Sequence, residues 1–165
     1  MLTRRTIILA AAAAALAARA ALAQADDDAS ARAFVAGIYK QYGRHDTNAH
    51  PLDDDAGIRR IFEPSLAALI IEDRAEAAKR GEEGNLDFDP FVYANDDWDM
   101  SAVDIAIGGD SPGKTTATVN FVVDRRPTTV VLDLVQIKKE WRVGEITWPG
   151  AKPGDPRTLR GQLAR

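Results

Sequence analysis

The sequence predicts an α+β domain, helices first and an antiparallel sheet after them, on three observations. Apolar residues recur at the 3.6-residue helical period as far as about residue 80, and the period shortens to 2 beyond Ser101. The runs of period 2 are joined by connections short enough for hairpins, which makes the sheet antiparallel. Helices followed by a meander of strands define α+β rather than alternating α/β units.

The chain opens with Thr3, Arg4 and Arg5, then an uncharged apolar run from Ile7 to Ala18 and the small-x-small site Ala21-Leu22-Ala23. This is the layout of a secretory signal peptide, so residues 1–23 are expected to be removed and the mature chain to work in the periplasm or outside the cell. A membrane span needs roughly 20 apolar residues, and Arg19 interrupts this run, so no span is expected after cleavage. The stretch Thr3-Arg4-Arg5-Thr6-Ile7-Ile8-Leu9 is similar to a twin-arginine export signal. Residues 24–30, with Asp26, Asp27 and Asp28, read as a solvated acidic leader, and residues 31–165 as one domain.

Phe34, Ile38 and Tyr42, with Val35 and Tyr39 one step round, predict an amphipathic helix over about 29–42. A loop from Gly43 to Asp55 follows. Pro64 fits a first helical turn, and Leu66, Leu69, Ile70, Asp73 and Ala77 share one face until Gly81 stops the helix. Glu76 stands four residues before Arg80, a weak surface support. Val103, Ile105 and Ile107, then Ala117, Val119, Phe121 and Val123, alternate as half-buried strands do, and Thr129 to Ile137 is apolar enough for a central strand. Trp141, Val143 and Glu145 begin a fourth strand. Asp155 as cap and Pro156 as first residue predict a last short helix carrying Leu159 and Leu163.

Of the 165 residues 45% are hydrophobic and 28% charged, as in an ordinary globular domain. The net charge of −4 becomes −7 once Arg4, Arg5 and Arg19 leave with the signal, which argues against nucleic acid and anionic membrane surfaces as partners. With no Cys, disulfides, thiolate nucleophiles and Cys-ligated zinc are excluded.

Phe34-Val35 with Ile38-Tyr39 and Tyr42, Leu86 to Phe91, Asp97-Trp98-Asp99, Val130 to Leu134, and Trp141-Arg142-Val143 with Glu145-Ile146 form a series. Together they resemble the exported bacterial family catalogued as domain of unknown function 3828. The resemblance implies a fold similar to nuclear transport factor 2, a cone in which a curved antiparallel sheet wraps helices in its concave face. It brings no catalytic residue and no cofactor.

Gly108-Gly109-Asp110-Ser111-Pro112-Gly113-Lys114-Thr115 matches the phosphate-binding pattern G-x-x-x-x-G-K-T. That pattern needs a helix after it, whereas Thr115 to Asp124 alternates as a strand, so a hairpin turn is expected. The segment from Gly81 to Met100 carries Glu82, Glu83, Asp87, Asp89, Asp96, Asp97 and Asp99 and no Lys or Arg. Asp87, Asp89, Asp97 and Asp99 could offer calcium several oxygens. The plainer reading has Asp87 and Asp89 accepting loop amide hydrogens while Phe88, Phe91 and Trp98 plug the core. His45 and His50, beside Asp46, read as exposed loop histidines rather than a metal site.

The expectation is a non-catalytic binding or interaction module for a small molecule or another exported protein, without a cofactor. Its pocket would be lined by Tyr39, Tyr42, Asp87, Asp89, Asp97, Trp98 and Asp99. A competing reading is an acid–base enzyme, an isomerase or hydrolase, using Asp97 or Asp99 as a carboxylate and Tyr39 or Tyr42 as donor. A third is an inhibitor or immunity-like protein that docks through its hairpin edge.

Overall fold

The computed structural model describes residues 23–42, 52–95 and 99–165. Helix α1 runs from 23, where the description starts, to 39. Then come α2 (Asp55–Ile61), α3 (Pro64–Arg80), β1 (Met100–Ser111), β2 (Lys114–Val123), β3 (Arg126–Ile137), β4 (Glu140–Thr147) and α4 (Leu159–Leu163). The strands form one curved antiparallel sheet in the order β1-β2-β3-β4, so the α+β reading and the meander hold. The signal segment to residue 22, the two histidines, and Asp97 and Trp98 lie outside the described residues.

Each hairpin has a two-residue loop. Pro112-Gly113, with Gly113 at φ 70°, has the residues of a type II turn, so the phosphate-binding pattern sits on a β1–β2 hairpin and a strand follows it. Asp124-Arg125 (φ 48° and 66°) and Lys138-Lys139 (φ 52° and 68°) place both central residues in the left-handed region. That is the geometry of type I′ turns, whose twist matches the strands they join.

One face of the sheet is the core. In β2, Ala117, Val119, Phe121 and Val123 are buried, as the alternation predicts. Val130, Leu132 and Leu134 of β3 join them, with Trp141, Val143 and Ile146 of β4. The ladder has three register irregularities, one of them between Gly108 and Ser111, and the other two break the expected parity. An extra residue between Ser101 and Asp104, with Ala102 at φ 56°, turns Val103 outward to 41% exposure while Ile105 and Ile107 stay against the core. A second irregularity, at Gly144, brings Ile146 inward where simple alternation would have used Glu145.

Across this face lie the helices. Ala31, Val35, Ile38 and Tyr39 are the buried stripe of α1, and Phe34 sits half-exposed on its flank. Residues 24–30, read as a leader, are helical. Gln136 donates to Asp27 (3.2 Å), and the Trp141 indole donates to Ser30 Oγ (2.8 Å). Contacts from β3 and β4 therefore hold a segment whose acidic composition alone suggested solvation. The carboxyl-terminal end is shorter than predicted, 39 rather than 42, although Tyr42 remains buried.

Helix α3 starts at Pro64 and ends at Gly81 in the left-handed region (φ 68°), both as the sequence predicts. Leu66, Ile70, Asp73 and Ala77 are buried, but Ala67 takes the inward place expected of Leu69, which is exposed. Glu76 pairs with Lys79 (2.6 Å) rather than Arg80, which meets Glu82. The short α2, missed in the sequence, is capped by Asp54, whose carboxylate accepts from Gly57 N–H. Its end is fastened by the Glu63 N–H, which donates to the Val143 carbonyl at the β4 edge (2.9 Å). For α4 the cap is Thr158, not Asp155, and the helix begins at Leu159.

Candidate functional site

The acidic segment after α3 is shaped by two carboxylates. Asp73, buried in α3, accepts the backbone N–H groups of Asn85 (2.9 Å) and Leu86 (3.0 Å), and Gly84 lies so close that a Cβ there would stand 2.4 Å from Asp73 Oδ2. Asp89 accepts the Phe91 N–H (2.8 Å) and the Tyr42 hydroxyl (3.2 Å). At the second anchor Phe91 and Val92 enter the core. Trp148, which the sequence reading did not use, closes the segment from the far side. Its indole donates to the Pro90 carbonyl (2.9 Å), and its ring stacks on Tyr93 and meets Phe88 edge-on.

Of the expected pocket residues, Tyr39, Tyr42 and Asp89 are brought together, but as core. The Tyr39 hydroxyl donates to the Phe91 carbonyl (2.8 Å), the two phenols pack with each other and with Phe91, and Tyr39 also meets Phe121, at centroid distances of 5.7–6.3 Å. Burial pushes both phenols well above the ordinary tyrosine range, and the neighbouring Asp89 carboxylate adds to the rise. Asp87 and Asp99 are exposed. The Asp99 N–H donates to the Asp124 carboxylate (3.1 Å), tying the entry of β1 to the β2–β3 turn. Among the described residues no three His, Cys, Asp or Glu gather closely enough to hold a metal ion. The expected pocket inside the sheet is thus packed with rings.

Two hollows lined by described residues lie outside that packing. One, of about 480 Å³, is lined by Glu63, Lys114, Thr116, Asp133, Glu145 and Arg160 among others. Its main cation is already matched. The Arg160 guanidinium donates to the Glu63 carboxylate, Ser65 Oγ (2.9 Å) and the Gly144 carbonyl (3.4 Å), and the Arg160 backbone N–H donates to the Glu145 carboxylate (3.2 Å). This clasp joins α4 to the start of α3 and to the β4 edge, a role no local sequence pattern announces.

The other hollow, about 420 Å³, is a groove between α1, the end of α2 and the start of β4. Phe34, Ile38, Ile61 and Trp141 give it apolar walls, and Gly37 opens the helix face between them. A Cβ on Gly37 would meet nothing within 4 Å. At the rim, Arg142 is bound to Glu140 (2.7 Å), while Arg60 makes no ion pair or side-chain hydrogen bond among the described residues. The sequence reading placed Phe34 and Ile38 on a core stripe. Ile38 is indeed buried there, and only the tertiary crossing of α1 over β4 reveals that Phe34 stays half-exposed beside it.

No family model, curated protein or solved structure matches this chain. What stands on its own geometry is the class: a single-sheet α+β domain with a filled interior and a groove outside it. Among the described residues no helix is long and apolar enough to cross a membrane.

Proposed function

We propose that the chain is an exported, non-catalytic binding module that holds a small molecule in the groove between α1, α2 and β4. The observation that carries this reading is a hollow of about 420 Å³, within the size range of small-ligand sites, walled by Phe34, Ile38, Ile61 and Trp141. It replaces the interior pocket, whose space Tyr39, Tyr42, Phe91 and Phe121 occupy. The acid–base alternative draws little support, because both phenols are spent on core hydrogen bonds and Asp99 is exposed. Kinship with the family of domain of unknown function 3828, a nuclear transport factor 2-like cone and a periplasmic address belong to the same proposal. They are supported by the motif series, the curved meander over helices, and the signal-like leader.

A protein partner at the β1 edge is the second reading. It is favoured by a 12-residue strand that pairs on one side only within the sheet. Native mass spectrometry of protein purified gently from the periplasm separates the two. Added mass of a few hundred daltons supports the groove, added mass of a polypeptide supports the edge, and a bare chain counts against both.

A further inference from the structure

The chemistry of the groove narrows what it takes. Three of its properties have to be met together by one occupant. The walls are apolar and aromatic, so the body of the ligand is apolar. The rim holds two guanidiniums and one carboxylate, and the Arg142–Glu140 pair leaves Arg60 as the unmatched charge, so the ligand carries an anion. The third property is Gly37. Glycine is a poor choice inside a helix, and here it answers to no neighbour within the protein, since a Cβ would project into open space. At this position the groove runs over bare helix backbone with no side chain above it, room that a narrow, unbranched chain would use. An aliphatic tail fits that description better than a peptide, whose own amides would be stranded against Phe34 and Trp141.

We propose that the groove binds a straight-chain aliphatic carboxylate, its tail lying over Gly37 between Phe34, Ile38 and Trp141 and its carboxylate meeting Arg60. The inference rests on the binding-module reading above and names the ligand class of that site. Arg60 on α2 and the aromatic walls on α1 and β4 divide the work. The guanidinium selects the head group, and the walls select the tail.

Decanoate and decanol, which share a tail and differ in charge, are the probes, titrated into the full chain by calorimetry with tryptophan fluorescence, to which Trp141 contributes, as a second readout. Decanoate is expected to bind at one site and decanol about tenfold more weakly. Arg60→Gln should weaken decanoate about tenfold and leave decanol unchanged. Gly37→Leu, which fills the floor without opposing the helix, should abolish both while the circular dichroism spectrum and melting curve remain those of a folded protein. Equal affinity for the two probes, with Arg60→Gln silent and Gly37→Leu still blocking both, overturns the carboxylate inference and leaves the binding groove standing. Decanoate binding that survives Gly37→Leu places the site elsewhere and overturns the inference. Absence of binding by either probe overturns it too, and the native mass spectrum then decides separately whether a module with another ligand remains.

Discussion

Removing the Asp73 carboxylate should loosen the whole acidic segment. In the wild-type protein it accepts two backbone N–H groups, from Asn85 at 2.9 Å and Leu86 at 3.0 Å, and it is 8% exposed. A hydrogen bond to a charged acceptor contributes about 1.5–3 kcal/mol, so losing two sets a nominal cost of about 3–6 kcal/mol. Asn85 and Leu86 are only half-buried, and water can reach amides released there, so the lower end is expected: Asp73→Ala should lose about 3 kcal/mol. That is a large share of a typical stability of about 5–15 kcal/mol. Asp73→Asn keeps one acceptor oxygen and should cost roughly half as much. Gly84→Ala attacks the same junction sterically, since its Cβ would stand 2.4 Å from Asp73 Oδ2. The cost of Gly84→Ala should therefore vanish largely when Asp73 is already Ala, a strong non-additivity. Urea unfolding followed by circular dichroism measures the four variants against wild type. An Asp73→Ala protein within about 0.5 kcal/mol of wild type, or strictly additive effects, would refute the reasoning.

Further outcomes follow from other contacts. Tyr39 and Tyr42 keep their protons when folded and release them near pH 10 when unfolded, so the unfolded state binds fewer protons above that pH. The stability they contribute is complete below about pH 10 and falls as pH rises toward the folded values, by about 1.4 kcal/mol per pH unit for each phenol. Tyr42→Phe should flatten part of that alkaline slope in denaturant melts, and an unchanged slope in the double Phe variant would discredit the cause. Lys139 sits at φ 68° in a type I′ turn, where Gly is at ease, so Lys139→Gly should raise stability by up to about 1 kcal/mol, and a fall would contradict the turn assignment. Thr115 Oγ1 is buried without a hydrogen-bond partner among the described residues, so Thr115→Val should stabilise the fold by about 1 kcal/mol in the same melts, whereas a loss would mean that the hydroxyl is satisfied.

The periodic parts of the fold were legible because burial on one face imposes a period on the chain. The stripe of α1, the start and stop of α3 at Pro64 and Gly81, and the alternation of Ala117 to Val123 are all of this kind. What escaped the sequence depends on contacts between distant residues. The bulge at Ala102 reverses which side Val103 faces, and nothing in the alternation of Val103, Ile105 and Ile107 signals it. Residues 24–30 become helix because Gln136 and Trp141 hold Asp27 and Ser30 across more than a hundred positions. The candidate site shows the same limit. Tyr39, Tyr42 and Asp89 do meet, but as packing, and a short list of aromatics and acids reads alike whether it lines a hollow or fills one. The groove was missed because its walls come from three elements, each of which looks ordinary alone.

The Arg160 clasp has a consequence for how the chain is made. Its guanidinium reaches Glu63, 97 positions earlier, and the neighbouring Gln162 reaches the Asn85 carbonyl, 77 positions earlier. On the ribosome, α3 and the acidic segment emerge long before the residues that fasten them, and they wait unlatched until the sheet and α4 have followed. Closure is postponed until α4 has been made, so α3 and the acidic segment wait for their latch while all four strands are completed.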